Sequence, residues 1–301
     1  MKLSTAIRNY VVWKQLRGIR FGRGEDVLMR MLKSAGHDPS LNQITPKQIA
    51  SYLDGSRKSA YTWWREYQII GAFFKFWVSR NKLARAPMPR PRAASPPPFR
   101  PYIFSKTELL RLLLAIERTR GLETLTIRTF LLFLYGTGAL VHEAITLRVS
   151  DVDLANGLVS FRTLDGERKR ILPIGRAVQN LLDVYTRFTS EQRKNGYDLF
   201  FLSRKGARLR RGALSYNFSK ICSRARIRQE HGMSQNPGLH DLRHTFAVHC
   251  LETWVREGKD LRQKLPVLAG YMGHKLLRST ELYLRLVPGR FVGQLAQLSG
   301  K

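Results

Sequence analysis

The chain has 301 residues and is 43% hydrophobic, enough to bury the cores of two ordinary domains. Its 52 lysines and arginines stand against 22 aspartates and glutamates. The net charge of +30 sets up a sustained positive field that calls for a polyanion, nucleic acid first. The arginines are spread along the whole chain, no run is apolar enough to span a bilayer, and no signal peptide is read at the N-terminus, which argues against membrane and secreted classes.

In chain order, the first elements read as helices. Residues near Glu25 to Ala35 form one amphipathic stretch. Thr45 precedes Pro46 and is followed three residues later by Gln48, a capping box that starts a helix ending near Asp54–Gly55. A longer helix runs from about Ser59 to Ser79. On it Trp63, Tyr67, Ile70, Phe74 and Trp77 fall at 4-3-4-3 spacing on one face, read as a domain core. From Pro87 to Pro101 the text is PMPRPRAASPPPFRP, which cannot be helical and resists pairing in a sheet. It is read as an extended, basic spacer. The expected domains are therefore a helical domain over 1–86, a linker over 87–101 and a larger domain over 102–301.

Beyond the spacer, Ser105 and Glu108 form a second capping box. Helices are expected to about Ile116 and over Leu125 to Tyr135, broken by Gly136 and Gly138, with a short one over Glu143 to Leu147. Leu158 to Arg162 and Arg170 to Ile174 read as a β-hairpin around a polar turn with Gly166. Helices return over Arg176 to Tyr185, Leu214 to Arg224 and Leu239 to Trp254. The fold class is mainly α with a small β-hairpin, without internal repeats. Cys222 and Cys250 lie in apolar helical surroundings without metal-type spacing, which fits a reducing, cytoplasmic compartment.

The chemistry concentrates near the C-terminus, in His240-Asp241-Leu242-Arg243-His244, Gly273-His274 and Tyr283. A tyrosine phenol can attack phosphorus and hold a DNA end covalently. Arginine presents a planar donor fork to two phosphate oxygens. His240 and His274 can donate to the phosphate or manage the phenol proton. Fixed cations stabilise the charged transition state, so no metal or cofactor is expected. His240 and His244 stand four apart, a spacing that also suits zinc, but no glutamate lies between them and no third ligand is evident.

The ordered set resembles the tyrosine recombinase (phage integrase) family over roughly the whole chain from about residue 20. HDLRHTFAVHCLE, YMGH and Tyr283 resemble its C-terminal boxes, YGTGALVHEAITLRVSDVDL its first arginine box, and FRTLDGERKRILPI its β-hairpin. The resemblance implies a helical, SAM-like core-binding domain joined to a catalytic domain, with Tyr283 as nucleophile and Arg243, His240 and His274 as catalytic partners. It implies double-stranded DNA as partner and a homo- or hetero-tetramer on synapsed sites, with a second recombinase as one option. It also implies a bacterial mobile element and its integration. The stretch from about Val287 to Leu298 then packs on a neighbouring protomer or ends the chain as a plain helix.

Two positions depart from the family. Leu140 stands where the first catalytic arginine is expected, and Asp165 where the hairpin lysine is expected. Losing one preorganised donor costs on the order of a hundred- to a thousand-fold in rate. Two readings follow: a recombinase acting through a 3′-phosphotyrosine on Tyr283, or an impaired relative that binds DNA for an active partner. Either way the expected DNA contacts are Arg57, Lys58, Arg65 and Lys75 in the first domain. In the second they are Arg168, Lys169, Arg204, Lys205, Arg208, Arg210 and Arg211. Each is assigned to phosphates rather than bases.

Overall fold

Side-chain caps fix several helix starts. The computed structural model describes residues 1–19, 21–55, 58–91, 100–116, 123–162, 169–193, 198–228, 236–274 and 276–287, and the chain divides into two units, Met1–Pro98 and Phe99–Lys301. In the first unit Thr45 Oγ1 accepts from Gln48 N at 3.3 Å while Gln48 Oε1 accepts from Thr45 N at 2.9 Å. This reciprocal pair starts the helix at Pro46.

The first unit packs four helices, α1 (Leu3–Leu16), α2 (Gly22–Ser34), α3 (Pro46–Asp54) and α4 (Ala60–Val78). Leu3, Ile7, Leu28, Ile49, Leu53, Ile70, Phe73 and Phe74 are among its most deeply buried residues. Of the aromatic face expected on α4, Phe74 and Trp77 are buried, while Trp63 and Tyr67 are part-buried and stack on each other at 5.2 Å between centroids. Glu66 is buried on α4, and its carboxylate is met from both sides by Lys58 Nζ at 2.7 Å and Arg30 Nη2 at 3.1 Å. The proline-rich segment begins packed on this unit: Tyr67 donates to Pro89 O at 2.9 Å, and Met88 joins its core.

The second unit opens with α5 (Lys106–Leu114), capped by Ser105 and Glu108 as expected, followed by α6 (Thr124–Thr137) and α7 (Val141–Thr146). Strands β1 (Val152–Asp153), β2 (Leu158–Arg162) and β3 (Lys169–Pro173) form one antiparallel sheet in the order β1-β2-β3. The expected hairpin is thus joined by a third strand too short to carry a sequence period. Phe161 pairs with Arg170, and Arg162 with Lys169. Helices α8 (Arg176–Phe188), α9 (Ser190–Arg193), α10 (Arg211–Arg224), α11 (Leu239–Arg256), α12 (Leu261–Met272) and α13 (Arg278–Glu281) follow, then a 3-10 turn over Leu282–Leu286.

Helix α11 is the spine of the second unit. On one side it packs on α6, where Tyr135 Oη and His249 Nδ1 lie 2.9 Å apart. On another it holds the incoming chain: Asp241 accepts from Tyr102 N at 3.2 Å and Thr245 Oγ1 from Phe104 N at 3.0 Å. Helix α12, which carries Pro266 in its interior, was not among the expected helices. It persists through the proline because Leu261, Leu265, Leu268 and Met272 bury against Val248, Leu251 and Val255 of α11. Among the described residues no helix is long and apolar enough to cross a membrane.

Candidate active site

Two helix ends converge on Arg243. Helix α6 ends at Gly138 with φ +60°, and α12 ends at Gly273 with φ +69°, both in the left-handed region that favours glycine. A helix end leaves carbonyls without intrahelical partners and carries the negative end of the helix dipole. Arg243 Nη1 donates to Gly138 O and Nη2 to Met272 O, each at 2.5 Å. The guanidinium is only 4% exposed, and among the described residues no carboxylate is in ion-pair contact with it. Carbonyl dipoles offset part of the desolvation of such a cation but, without a carboxylate in contact, leave its charge unneutralised.

Around this guanidinium stand the groups that the sequence singled out. Tyr283 sits in the 3-10 turn, 5% exposed, with its hydroxyl 2.9 Å from His244 Nδ1. Its ring lies nearly parallel to that of His274, 6.1 Å between centroids, and His274 Nδ1 is 2.7 Å from Thr280 Oγ1. The rings of His240 and His244 meet edge to face at 4.6 Å, one helical turn apart. Tyr283, Arg243, His240 and His274 are thereby gathered in one place. His244, which the sequence offered only as half of a zinc pair, is the imidazole that touches the phenol. Among the described residues there is no cluster fit for a metal.

Burial dominates the electrostatics of these groups. Burial, followed by the charges of His240 and Arg243, pushes His244 down to about 3. Burial, then Arg243 and Arg170, pushes His274 down to about 4. Both imidazoles are therefore neutral at pH 7, and the His244–Tyr283 contact joins two neutral groups. Burial raises the Tyr283 phenol above its ordinary value, and Arg243, within hydrogen-bond reach, pulls it back.

Leu140 is the N-cap residue of α7, and its backbone N–H donates to Glu143 Oε2 at 2.7 Å. The same oxygen accepts from Arg170 Nη2 at 2.9 Å, and Arg170 Nη1 donates to Tyr271 O. Arg170 was read only as a strand residue. The positions of Asp165, Arg168 and Arg57 lie outside the described residues, as does the Lys169 side chain. Among the expected DNA contacts, Arg204, Lys205 and Arg208 are exposed on a tight turn closed by Ser203 N to Ala207 O at 2.7 Å, and Arg210 and Arg211 stand exposed at the start of α10. Arg204 also lies 3.9 Å from Glu123. Arg65 and Lys75 are exposed on α4, whereas Lys58 is engaged with Glu66 and lies 4.0 Å over the Tyr52 ring.

The sequence profile of the phage integrase family matches residues 103–289, more than half of the chain and all of the constellation just described. The chain belongs to the phage integrase family of tyrosine recombinases. Among curated tyrosine recombinases and their relatives, it is 28% identical to the putative integrase/recombinase y4rE of Sinorhizobium fredii over 94% of this chain and 91% of that protein. It is 30% identical to the tyrosine recombinase XerA of Thermococcus kodakarensis over 73% of this chain and 68% of that one. Among solved structures, the Tn1549 transposon integrase in complex with transposon right end DNA superposes with a TM-score of 0.68, covering 100% of both chains at 14% identity, a likeness of fold. The mainly α fold with its small antiparallel sheet is thus the fold of the tyrosine recombinases.

Proposed function

We propose that this chain is a site-specific DNA recombinase that attacks the scissile phosphate with Tyr283 and holds the DNA as a 3′-phosphotyrosine. One observation carries the reading: Arg243 is a buried guanidinium without a carboxylate in contact, beside a phenol bonded to a neutral imidazole. A phosphodiester supplies the missing anion and the electrophile together. In the step, the bond from the Tyr283 oxygen to phosphorus forms and the bond from phosphorus to the 5′ oxygen breaks. The phenol proton passes to His244 Nδ1, and the departing 5′ oxygen takes a proton from His240, His274 or water. His240 and His274 flank the phosphate as donors. No metal or cofactor enters the step.

In this reading the helical unit is the core-binding domain, and both units bind duplex DNA through phosphate contacts. The exposed cations Arg65, Lys75, Arg204, Lys205, Arg208, Arg210 and Arg211 are the contacts proposed. The protomers work as a homo- or hetero-tetramer on two synapsed sites, in the bacterial cytoplasm, on a mobile element. The second reading, a DNA-binding partner of an active recombinase, is favoured by Leu140 and Asp165, which stand where the family resemblance expects an arginine and a lysine.

Incubating the protein with a nicked suicide duplex, drawn from a random pool by its own binding, separates the two. A covalent adduct that disappears in Tyr283→Phe supports cleavage. Tight, salt-sensitive binding without an adduct, with cleavage appearing only beside a second recombinase, supports the partner reading.

A further inference from the structure

The side of the site left bare by Leu140 is not without a cation. Arg170 reaches it from β3, and four observations place it there. Its Nη2 shares Glu143 Oε2 with the backbone N–H of Leu140, so the guanidinium and the departed position meet on one carboxylate oxygen. Its Nη1 donates to Tyr271 O, while Arg243 Nη2 donates to Met272 O, so two guanidiniums grip consecutive carbonyls at the end of α12. A Cβ placed on Gly273 would stand 3.1 Å from Arg170 Cδ and 3.3 Å from its Nε, so the glycine before His274 leaves the space this side chain fills. Arg170 also shares the inward face of β3 with Leu172, and its guanidinium lies 5.1 Å over the Phe161 ring.

Two buried cations side by side repel unless an anion joins them. Glu143 is one such anion, but its charge is matched by Arg170, which leaves Arg243 in excess. The lowering of the Arg243 guanidinium, caused first by burial and then by Arg170, registers that repulsion. A phosphate between the two relieves it. Each guanidinium has five N–H donors, and in each the bonds just named engage one N–H of each Nη, which leaves donors for phosphate oxygens.

We propose that Arg170 is the second phosphate-binding arginine of this site, delivered by the β-hairpin in place of the arginine missing at Leu140. The assignment rests on the phosphate-site reading above. It differs from a structural role, in which Arg170 only ties α7 to the end of α12.

The full chain and three variants, Arg170→Ala, Leu140→Arg and the double variant, are compared on the suicide duplex, with duplex affinity measured alongside. The expected result is a hundredfold or greater loss of adduct formation in Arg170→Ala with affinity within threefold, and recovery to within about tenfold of wild type in the double variant. A guanidinium restored at position 140 can serve a phosphate but cannot rebuild the tie to Tyr271 O. Adduct formation unchanged in Arg170→Ala, or a double variant as inactive as the single one, overturns the proposal. Should wild type itself form no adduct, the cleavage reading is what fails. The anion site is then read directly, by following the arginine Nε–H resonances of the full chain during titration with inorganic phosphate. Arg170 and Arg243 shifting together with one dissociation constant supports the assignment, and Arg243 shifting alone, or neither shifting, refutes it.

Discussion

Each unit buries a charge, and the two are treated in opposite ways. In the first, the Glu66 carboxylate is closed on both sides by Lys58 and Arg30. Its charge is balanced, and nothing further is required of the surroundings. In the second, Arg243 is as deeply buried, bonds the carbonyls of Gly138 and Met272 and lies within reach of the Tyr283 phenol, and among the described residues no carboxylate is in ion-pair contact with it. Carbonyl dipoles orient a guanidinium without neutralising it. The contrast separates a buried charge paired within the fold from one that, on the proposed function, is left for a ligand, and it predicts which substitutions damage stability and which damage chemistry.

The largest effect falls on the second unit. Arg243→Ala should lower the rate of covalent adduct formation by at least a hundred- to a thousand-fold in a single-turnover assay, with the loss in kcat terms rather than in duplex affinity. Next comes the first unit: Glu66→Gln leaves Lys58 short of its partner and should lower stability by about 2–3 kcal/mol in urea denaturation, with adduct formation per folded molecule unchanged. Reversal of these two outcomes would break the distinction.

A third test addresses the helix ends that aim the carbonyls. Gly138→Ala forces a Cβ into a left-handed backbone and to 2.5 Å from the Phe246 ring. It should cost on the order of 1–2 kcal/mol from the backbone alone, with more from the ring, and should slow adduct formation because Gly138 O moves off Arg243.

The pH dependence follows from the neutral imidazoles. The unfolded histidines take a proton near 6.5, while folded His274 resists to about 4 and His244 to about 3. Over that window the unfolded state binds more protons, so stability falls as pH drops below about 6.5 and levels off near 3. Each histidine contributes up to about 1.4 kcal/mol per pH unit. Urea midpoints between pH 7 and 4 check this, and His274→Asn should flatten part of the slope. The smallest effect belongs to the rim: Arg208→Ala should weaken duplex binding several-fold, alike for all sequences, and reduce the salt slope by about one.

How much of this was legible beforehand depends on the range of the interaction. The capping boxes at Thr45 and Ser105 were readable because they close within three residues, and the β2–β3 pairing because the strands are neighbours in sequence. The gathering of His240, Arg243, His274 and Tyr283 was carried by family resemblance, since no local rule brings residues about forty apart together. Helix α12 went unread; it runs through Pro266, whose local cost is outweighed by burial against α11. Arg170 was hidden for a different reason. Ile171 and Leu172 are both apolar, so alternation could not say which face of β3 points inward. The fold buries Leu172 at 2% and leaves Ile171 at 58%, and that choice turns Arg170 toward the site. The contact of His244 with the phenol likewise depends on how the chain returns after α12.

The claim that Arg243 and the phenol beside it form a phosphotyrosine site is tested most directly by locating the protein–DNA bond. The adduct formed on a suicide duplex is digested with protease and nuclease, and the nucleotide-bearing peptide is sequenced by mass spectrometry. The expected result is a nucleotide on Tyr283. A nucleotide on Tyr271, whose phenol bonds Pro173 O and is pushed up to about 12 by burial, would contradict the account, as would intact duplex binding that yields no adduct with or without a partner recombinase.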